Sequence, residues 1–336
     1  MESPGLVAIA QRFILDGVTI FFVLSGFLIG QIVIRDFSTH PANYRTVLSF
    51  WKRRWFRTLP AFYLVLLLLA VVYEPRKIVL LQFSFFSQNL LDHYPFFFRE
   101  AWSISIEEWF YLGLPIGLVV SLSFQGNLRR SLLLVIGLLG LVGPLMRVVQ
   151  FRLHDPSLPE FWFLYIRGTV FCRLDSLALG VFAAYLSHYF PSIWTAAKRV
   201  RLLLGLAILL LPLGFHDYLK IVGVAPTELL AVLYFWIEPL ATFLMLPFLS
   251  TYRRSPDGFT LAVTHVSVIS YAMYLLNLSV IRLKILPWFQ SGFMPDERGL
   301  GWQFFSVALF VVITLMLSTW FYRFYEAPCT RLRDRL

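Results

Sequence analysis

Apolar runs long enough, or nearly long enough, to cross a lipid bilayer recur along the whole chain, and they restrict its possible folds severely. Crossing about 30 Å of hydrocarbon takes roughly 20 residues of apolar helix. The 336-residue sequence contains nine such runs, at residues 17–34, 59–73, 102–122, 131–149, 161–186, 202–215, 227–249, 260–281 and 302–322. We therefore predict an all-α polytopic membrane protein with about nine transmembrane helices, in which residues 1–336 form a single membrane-embedded domain.

A tenth apolar run, residues 78–91, is shorter and carries Gln82, Gln88 and Asn89, so we predict a re-entrant or interfacial segment there. The composition agrees with this class, because 58% of the residues are hydrophobic and only 14% are charged. In soluble proteins about 45–50% of the residues are hydrophobic and about 25% are charged. Cys172 and Cys329, far apart and without CxxC spacing, argue against a disulfide framework, a zinc site or a redox motif, and we expect no metal.

The distribution of basic residues predicts how the chain is oriented. If residues 78–91 do not cross, 17 of the 29 Lys and Arg residues fall in loops on one side and 9 on the other. The positive-inside rule assigns the richer side to the cytoplasm. The C-terminus is then cytoplasmic and the N-terminus of this chain lies outside. The net charge of +10 thus reflects membrane orientation, and we expect the lipid bilayer, not nucleic acid, as a partner.

The segment AWSISIEEWFYL, residues 101–112, carries polar side chains within a predicted span. Ser103, Glu107, Phe110 and Tyr111 fall within an arc of about 100° on a helix, and Glu108 points about 100° away from Glu107. An ionisable group at the bilayer centre costs about 2.5–3.5 kcal/mol, so each acid needs a partner or a task. Glu107 therefore either neutralises a buried arginine or belongs to a reaction site.

Two later segments also combine polar side chains with an apolar surrounding. Arg173 and Asp175 lie about 160° apart on a helix, so each must find a partner on another helix, and Glu107 is one candidate for Arg173. One helical face is predicted to hold Ser270, Tyr271, Tyr274 and Asn277. The residues of that face either pack against a neighbouring helix or take part in a reaction.

The loop of residues 50–60 is strongly basic. It interleaves positive charges with aromatic rings, in the order Trp51, Lys52, Arg53, Arg54, Trp55, Phe56 and Arg57. Such residues anchor a helix at the membrane interface. They also suit a phosphate-rich ligand such as coenzyme A at the cytoplasmic mouth, because guanidinium groups bind phosphate in a bidentate manner.

The order of these motifs along the chain is more specific than any one of them. FFVLSGFLI at 21–29 includes Ser25 and Gly26, and the elements that follow are Arg54, Arg57 and Pro60; Trp102, Ser103, Glu107, Phe110 and Tyr111; Arg173 and Gly180; SYxxYL at 270–275; and Glu326 with Pro328. From about residue 15 to 330 this succession resembles the acyltransferase 3 family of integral membrane O-acyltransferases.

The resemblance implies a ten-helix domain, typically in a bacterial inner membrane, that moves an acyl group, often acetyl, from acyl-CoA to a hydroxyl of a cell-surface or secreted carbohydrate. By this analogy the donor is held by Arg53, Arg54 and Arg57. The candidate catalytic residues are Glu107, Arg173, Tyr271 and Tyr274, the last three as donors to the tetrahedral oxyanion. Acyl-CoA is expected as a substrate, and no cofactor is expected to bind tightly.

The sequence departs from the family pattern in two respects. Members usually begin with a helix that carries an Arg and, about ten residues later, the His regarded as the catalytic base, whereas this sequence starts after that helix. Asn277 stands where SYxxYLxH has His, and an amide cannot act as a base near neutral pH.

Three explanations remain open. The first helix is encoded upstream, the chain is an inactive relative, or another group has replaced the base, with His93 as the least poor candidate. An alternative from a different class is a transporter or lipid-binding membrane protein, although the sequence shows no repeat of two halves of the kind that many transporters have.

Overall fold

The computed structural model describes residues 16–91, 97–158, 161–210, 227–252, 257–293 and 300–333, and every regular element within these ranges is a helix. The predicted all-α fold is confirmed. In chain order the α-helices are α1 Gly17–Thr39, α2 Tyr44–Tyr73, α3 Lys77–Ser84, α4 Ala101–Gln125, α5 Leu128–Leu153, α6 Leu174–Tyr189, α7 Pro191–Thr195, α8 Lys198–Leu209, α9 Glu228–Thr251, α10 Gly258–Leu276, α11 Leu286–Phe293, α12 Leu300–Phe321 and α13 Ala327–Arg333. Three π-helices complete the set, namely π1 Trp162–Arg167, π2 Asn277–Ile285 and π3 Tyr322–Glu326.

Seven helical segments in the described ranges are long and apolar enough to cross a membrane. They are Gly17–Thr39, Tyr44–Tyr73, Ala101–Gln125, Leu128–Leu153, Glu228–Thr251, Gly258–Phe289 and Phe304–Leu332. The predicted span 202–215 coincides with the 12-residue α8 and then leaves the described residues. Within residues 78–91 only 78–84 are helical, as part of the eight-residue α3. The count of nine crossings and the re-entrant segment therefore stay predictions.

Several helices begin where a short polar side chain satisfies the first free backbone N–H groups. Asp16, Asn127, Thr227 and Asp257 each accept a hydrogen bond from the first turn of α1, α5, α9 and α10, respectively. Aspartate, asparagine and threonine are favoured at this position because their side-chain oxygens reach the N–H groups that lack a helical partner. These caps explain why the four helices start within about three residues of the predicted spans.

The predicted span 161–186 is interrupted in the structure. The turns of π1 end at Arg167, and α6 begins only at Leu174. Asn89, which is fully buried, bridges the break: its side-chain Nδ2 donates to the carbonyl of Gly168 at 2.6 Å, and its main-chain carbonyl accepts from the N–H of Val170 at 2.8 Å. Asn89 thus supplies partners that an unbroken helix would have provided within an apolar interior.

The described residues group into two compact units. The first comprises the described parts of Met1–Val47, Asn89–His93 and Ser105–Tyr252, and the second those of Leu48–Gln88, Tyr94–Ile104 and Arg253–Leu336. In the first unit α1 packs along α6, while α9 contacts α1, α5, α6 and α8. In the second unit α10 packs against α12 and continues into π2.

Candidate functional site

A buried chain of hydrogen bonds in the first unit joins three residues that the motifs single out. The phenol of Tyr111 donates to Oε2 of Glu107 at 3.0 Å, and the Tyr111 oxygen is hydrogen-bonded to the hydroxyl of Ser25. All three side chains are buried. Because Tyr111 has one proton and gives it to Glu107, Ser25 is the donor to Tyr111. The predicted face of α4 is therefore completed by α1.

Arg173 lies in the same unit, immediately before α6, and is completely buried. Its Nη2 donates to the hydroxyl of Thr19 on α1, so the contact with Glu107 that we considered from the sequence is not formed. The guanidinium stacks over the ring of Phe235, with 4.8 Å from its carbon to the ring centroid. Among the described residues no acceptor meets its Nε or Nη1. Two N–H donors of a buried cation therefore remain available.

The hydroxyl of Thr19 links Arg173 to a second network. Thr19 donates to Oδ2 of Asp16 at 2.9 Å, and Asp16 accepts two hydrogen bonds from Arg167, both at 2.9 Å. Burial alone would raise the pKa of Asp16, but the hydrogen bond and charge of Arg167 outweigh it and bring the pKa from 3.8 to about 2. The N–H of Asp16 donates to Oε1 of Glu238 at 3.2 Å. The sequence analysis did not identify this network.

Asp175 forms a buried ion pair with Arg147 of α5, so its partner lies on another helix, as the helical geometry required. Arg147 also donates to the carbonyl of Cys172 at 3.2 Å. Gly143 packs directly against this pair, because a Cβ atom there would lie 2.6 Å from Cγ of Asp175. The pair satisfies Asp175 within the first unit, and we assign it a structural role.

Another polar cluster lies in the second unit. The phenol of Tyr274 donates to the carbonyl of Glu100 at 3.0 Å and is hydrogen-bonded to the hydroxyl of Ser103. Oε1 of Glu100 accepts from the N–H groups of Leu278 at 2.9 Å and Ser279 at 2.6 Å, and Oε2 accepts from the Ser279 hydroxyl. Glu100 therefore satisfies backbone groups where α10 widens into π2.

The remaining residues of the SYxxYL face divide between two environments. Tyr271 donates to the carbonyl of Thr58 on α2 at 2.9 Å. Ser270 is exposed and donates to the carbonyl three residues earlier in its own helix, so it does not join the tyrosines. Asn277 is partly buried and is the first residue of π2.

The candidate donor-binding arginines lie on α2. Arg53 donates to the hydroxyl of Ser49 at 2.7 Å, Arg54 is partly buried and Arg57 is exposed. The buried carboxylate of Glu326, at the end of π3, interacts electrostatically with Arg57. Glu326 of the E-x-P motif thus interacts with the basic surface of α2 within the second unit.

Two motif residues contribute to packing in the structure. Gly26 allows α1 and α6 to approach closely, because a Cβ atom on it would lie 2.1 Å from the carbonyl oxygen of Leu177. Trp102 is buried at the start of α4.

His93, the alternative base, lies outside the described residues. Within the described ranges no group of three or more His, Cys, Asp or Glu side chains is arranged to hold a metal ion.

The family model described as acyltransferase domain matches residues 12–323. The chain belongs to this family, which confirms the class of enzyme that the order of motifs indicated. It is an acyltransferase by class, and its long apolar helices mark it as an integral membrane member.

Two bacterial relatives illustrate this membership. The chain is 30% identical over 194 residues to the O-acetyltransferase OatA of Staphylococcus aureus. This match covers 51% of this chain and 30% of that protein. It is 32% identical over 160 residues to the peptidoglycan O-acetyltransferase OatA of Listeria monocytogenes, covering 42% and 25%. The chain thus spans less than a third of either relative's length. No solved structure matches it.

Proposed function

We propose that this protein is a membrane O-acetyltransferase, which moves an acetyl group from acetyl-CoA to a hydroxyl of a cell-surface carbohydrate. Peptidoglycan is the first acceptor to test, because the Listeria relative is named for it. The observation that carries the proposal is Arg173, a fully buried guanidinium with two N–H donors that meet no acceptor in the described part of an acyltransferase domain. A buried cation within membrane helices is expensive and is retained for a task.

Acyl transfer to a hydroxyl passes through a tetrahedral intermediate whose oxygen becomes negative. Preformed N–H donors in a water-poor site stabilise that oxygen, and Arg173 has them. Tyr271 and Tyr274, the other candidates, already donate to the carbonyls of Thr58 and Glu100. We therefore assign the oxyanion to Arg173 and the two tyrosines to the positioning of α10.

Glu107 contributes a hydrogen-bonded carboxylate to the polar interior of the first unit. Its partner Tyr111 is oriented by Ser25, so the three side chains respond together when any one changes protonation or position. We propose that this series of hydrogen bonds orients a reacting group or transfers a proton in the reaction.

The donor is proposed to bind at the basic surface of α2. Guanidinium groups suit the 3′-phosphate and pyrophosphate of coenzyme A, and within two helical turns α2 carries the exposed Arg57 and the partly buried Arg53 and Arg54. In the proposed topology this surface is cytoplasmic, the chain crosses the membrane nine times with residues 78–91 re-entrant, and the membrane is the bacterial inner membrane.

Membranes containing the chain, incubated with radiolabelled acetyl-CoA and a cell-wall glycan, test the proposal. We expect the glycan to become labelled. Arg173→Gln should lower kcat about 10²–10³-fold, the usual cost of removing an oxyanion donor. Glu107→Gln should also lower kcat, and Arg57→Ala should raise the KM for acetyl-CoA.

Matched substitutions outside the proposed site serve as controls. Glu228→Gln at a partly exposed position and Arg45→Ala at an exposed one change the same residue types and should leave transfer near the wild-type level. If the wild-type chain does not label the glycan above membranes without it, the proposed function is wrong. If Arg173→Gln and Glu107→Gln label it as fast as wild type, the site assignment is wrong.

A further inference from the structure

We propose that Thr19 is a positioning residue, whose hydroxyl orients the buried guanidinium of Arg173 so that its remaining N–H donors can hold the oxyanion of acyl transfer. This inference rests on the proposed function and deepens it, because it identifies what sets the direction of those donors. Thr19 lies in the first turn of α1, and Arg173 immediately precedes α6, 154 positions later. The contact between them therefore depends on how the two helices pack.

The Thr19 hydroxyl makes two hydrogen bonds, and their directions are fixed. It donates to Oδ2 of Asp16 at 2.9 Å and accepts from Nη2 of Arg173. Because a hydroxyl has one proton, the bond to Asp16 leaves only lone pairs of the Thr19 oxygen for Arg173. The Thr19 side chain is 2% exposed, so bulk water does not compete for either bond. Thr19 is thus an oriented acceptor for one nitrogen of the guanidinium.

Asp16 keeps the Thr19 hydroxyl in this orientation because its own hydrogen-bonding capacity is filled. Oδ1 accepts from the N–H of Val18 at 3.2 Å and from Nη2 of Arg167 at 2.9 Å. Oδ2 accepts from the Thr19 hydroxyl and from Nε of Arg167, both at 2.9 Å. A carboxylate has about four acceptor positions in total. Asp16 is therefore a fixed anion, and it holds Thr19 in place.

Two aromatic rings restrain the guanidinium further. Its carbon lies 5.9 Å from the ring centroid of Phe22, one turn after Thr19 on α1, and 4.8 Å from that of Phe235 on α9. A cation within about 6 Å of an aromatic ring is attracted to the ring face. The rings hold the guanidinium without using its N–H groups, and the bond to Thr19 then fixes the direction in which the other donors of Arg173 point.

A hydroxyl between the anion and Arg173 leaves more donors available than a direct ion pair would. Arg167 gives Asp16 two donors, Nε and Nη2. Arg173 gives Thr19 one donor, and no acceptor meets its Nε or Nη1 within the part of the chain that the structure describes. The charges of Asp16 and Arg173 still attract each other. Thr19 thus transmits the stabilising effect of the anion and spares the donors that an oxyanion needs.

The packing of α1 on α6 directs Thr19 toward Arg173. Thr19, Gly26 and Gly30 fall within about 40° of one another around α1, because they are seven and four residues apart. A Cβ atom on Gly26 would lie 2.1 Å from a backbone oxygen of α6, and one on Gly30 would lie 2.7 Å from a side-chain carbon of α6. The face of α1 that carries Thr19 is therefore the face that contacts α6.

The test compares the wild-type chain with Thr19→Val and Thr19→Ser in membranes with acetyl-CoA and the glycan acceptor. Valine keeps the branched shape and removes the hydroxyl. We expect Thr19→Val to lower kcat on the order of 10²-fold, the cost of misplacing a group in the site by about 1 Å. The KM for acetyl-CoA should not change, because the oxyanion forms only in the transition state. Thr19→Ser should retain at least about a third of the rate, since its hydroxyl can make both bonds.

The Arg173→Gln background separates positioning from a general structural role. If Thr19 acts through Arg173, Thr19→Val costs nothing further in that background, and the double variant has the kcat of Arg173→Gln alone. Thr242→Val is the matched control. Thr242 is also buried, and its hydroxyl donates to the carbonyl of Glu238, one turn earlier on α9, at 2.9 Å. Its kcat should equal that of the wild type.

Asp16→Asn provides the same comparison if Thr19→Val does not fold, which thermal unfolding in detergent shows. An amide cannot accept all the hydrogen bonds that the Asp16 carboxylate accepts, so the Thr19 hydroxyl loses its fixed partner. We expect Asp16→Asn to lower kcat in the wild-type background and to have no further effect in the Arg173→Gln background.

Each outcome bears on the inference. An active wild type whose folded Thr19→Val variant keeps kcat within about threefold overturns the role of Thr19 and leaves the proposed function intact. Equal losses in Thr19→Val and Thr19→Ser overturn it as well, because the hydroxyl is then not the cause. A loss that persists in the Arg173→Gln background shows that Thr19 does not act through Arg173. An inactive wild-type chain overturns the proposed function and the positioning role together.

Discussion

Gly26 on α1 and Gly180 on α6 face each other so closely that neither helix has room for a side chain there. A Cβ atom on Gly26 would lie 3.1 Å from Cα of Gly180, and one on Gly180 would lie 2.2 Å from the carbonyl oxygen of Val23. Small residues let membrane helices pack by direct backbone contact. The same approach brings Thr19 of α1 to Arg173, so two separate sequence motifs serve one helix pair.

Replacement of either glycine by alanine should therefore destabilise the protein. Because the obstructing atoms belong to the backbone and cannot rotate away, we expect Gly180→Ala to cost at or above the usual range of about 1–3 kcal/mol for overpacking. Thermal unfolding in detergent measures the loss. Gly137→Ala is the matched control, since nothing lies within 4 Å of a Cβ atom on Gly137 of α5. Equal unfolding temperatures for the two variants would contradict the close packing of α1 on α6.

The buried Arg147–Asp175 ion pair should show strong coupling. Asp175→Asn leaves a buried guanidinium without its counter-charge, which costs about 3–5 kcal/mol in the free energy of unfolding. Arg147→Met strands the carboxylate in the same way. The double variant removes both charges and should be more stable than the sum of the single losses predicts. Additive losses in a double-mutant cycle would mean that the two side chains do not interact.

The contribution of Asp16 should depend on pH in a defined direction. The pKa of Asp16 falls from 3.8 to about 2 on folding, because the hydrogen bond and charge of Arg167 outweigh the effect of burial. The folded state therefore prefers the ionised form, and the stabilisation is complete above pH about 4 and lost as the pH falls through about 2. The shift corresponds to about 2 kcal/mol.

Unfolding temperatures measured between pH 2 and pH 6 test this. Asp16→Asn should be less stable than wild type at pH 6, and the difference should shrink toward pH 2 as the wild-type carboxylate becomes protonated. A difference that stays constant over this range would show that the Asp16 charge does not contribute.

Glu100 should be essential to the junction of α10 and π2. Glu100→Ala removes the acceptor of the N–H groups of Leu278 and Ser279, and each buried donor without a partner costs about 1–3 kcal/mol. Glu74→Ala, an exposed glutamate after α2, should have little effect. Hydrogen exchange of Leu278 and Ser279 reports the change locally. Unchanged protection in Glu100→Ala would contradict the proposed role.

Periodicity predicted those parts of the fold and site that depend on one helix. Glu107 and Tyr111 are four positions apart on α4, so their contact follows from helical geometry. Ser25 completes the chain from 86 positions earlier, and nothing in a single sequence pairs α1 with α4. The need of Asp175 for a partner on another helix was evident, but the identity of Arg147 depends on how α5 packs on α6.

The break before α6 and the Asp16 network could not be predicted for related reasons. Hydropathy is summed over many residues, so residues 161–186 are predicted as one span. The structure breaks this span between π1 and α6, where the carbonyl of Gly168 and the N–H of Val170 form hydrogen bonds with Asn89. Asp16 looked like an ordinary residue before a helix, and its partner Arg167 is 151 positions away. Arg167 lies within the predicted span 161–186, and a charge there requires a partner, but the sequence does not say which acid provides it.

The central claim is tested most directly by the alkali-labile acetate on the cell-wall glycan of bacteria that express the chain. O-acetyl esters release acetate in mild alkali, so the amount released counts the transferred groups. We predict more acetate than in cells carrying the empty vector, a loss of this increase with Arg173→Gln, and its retention with Glu228→Gln. Equal acetate with and without the wild-type chain would contradict the account.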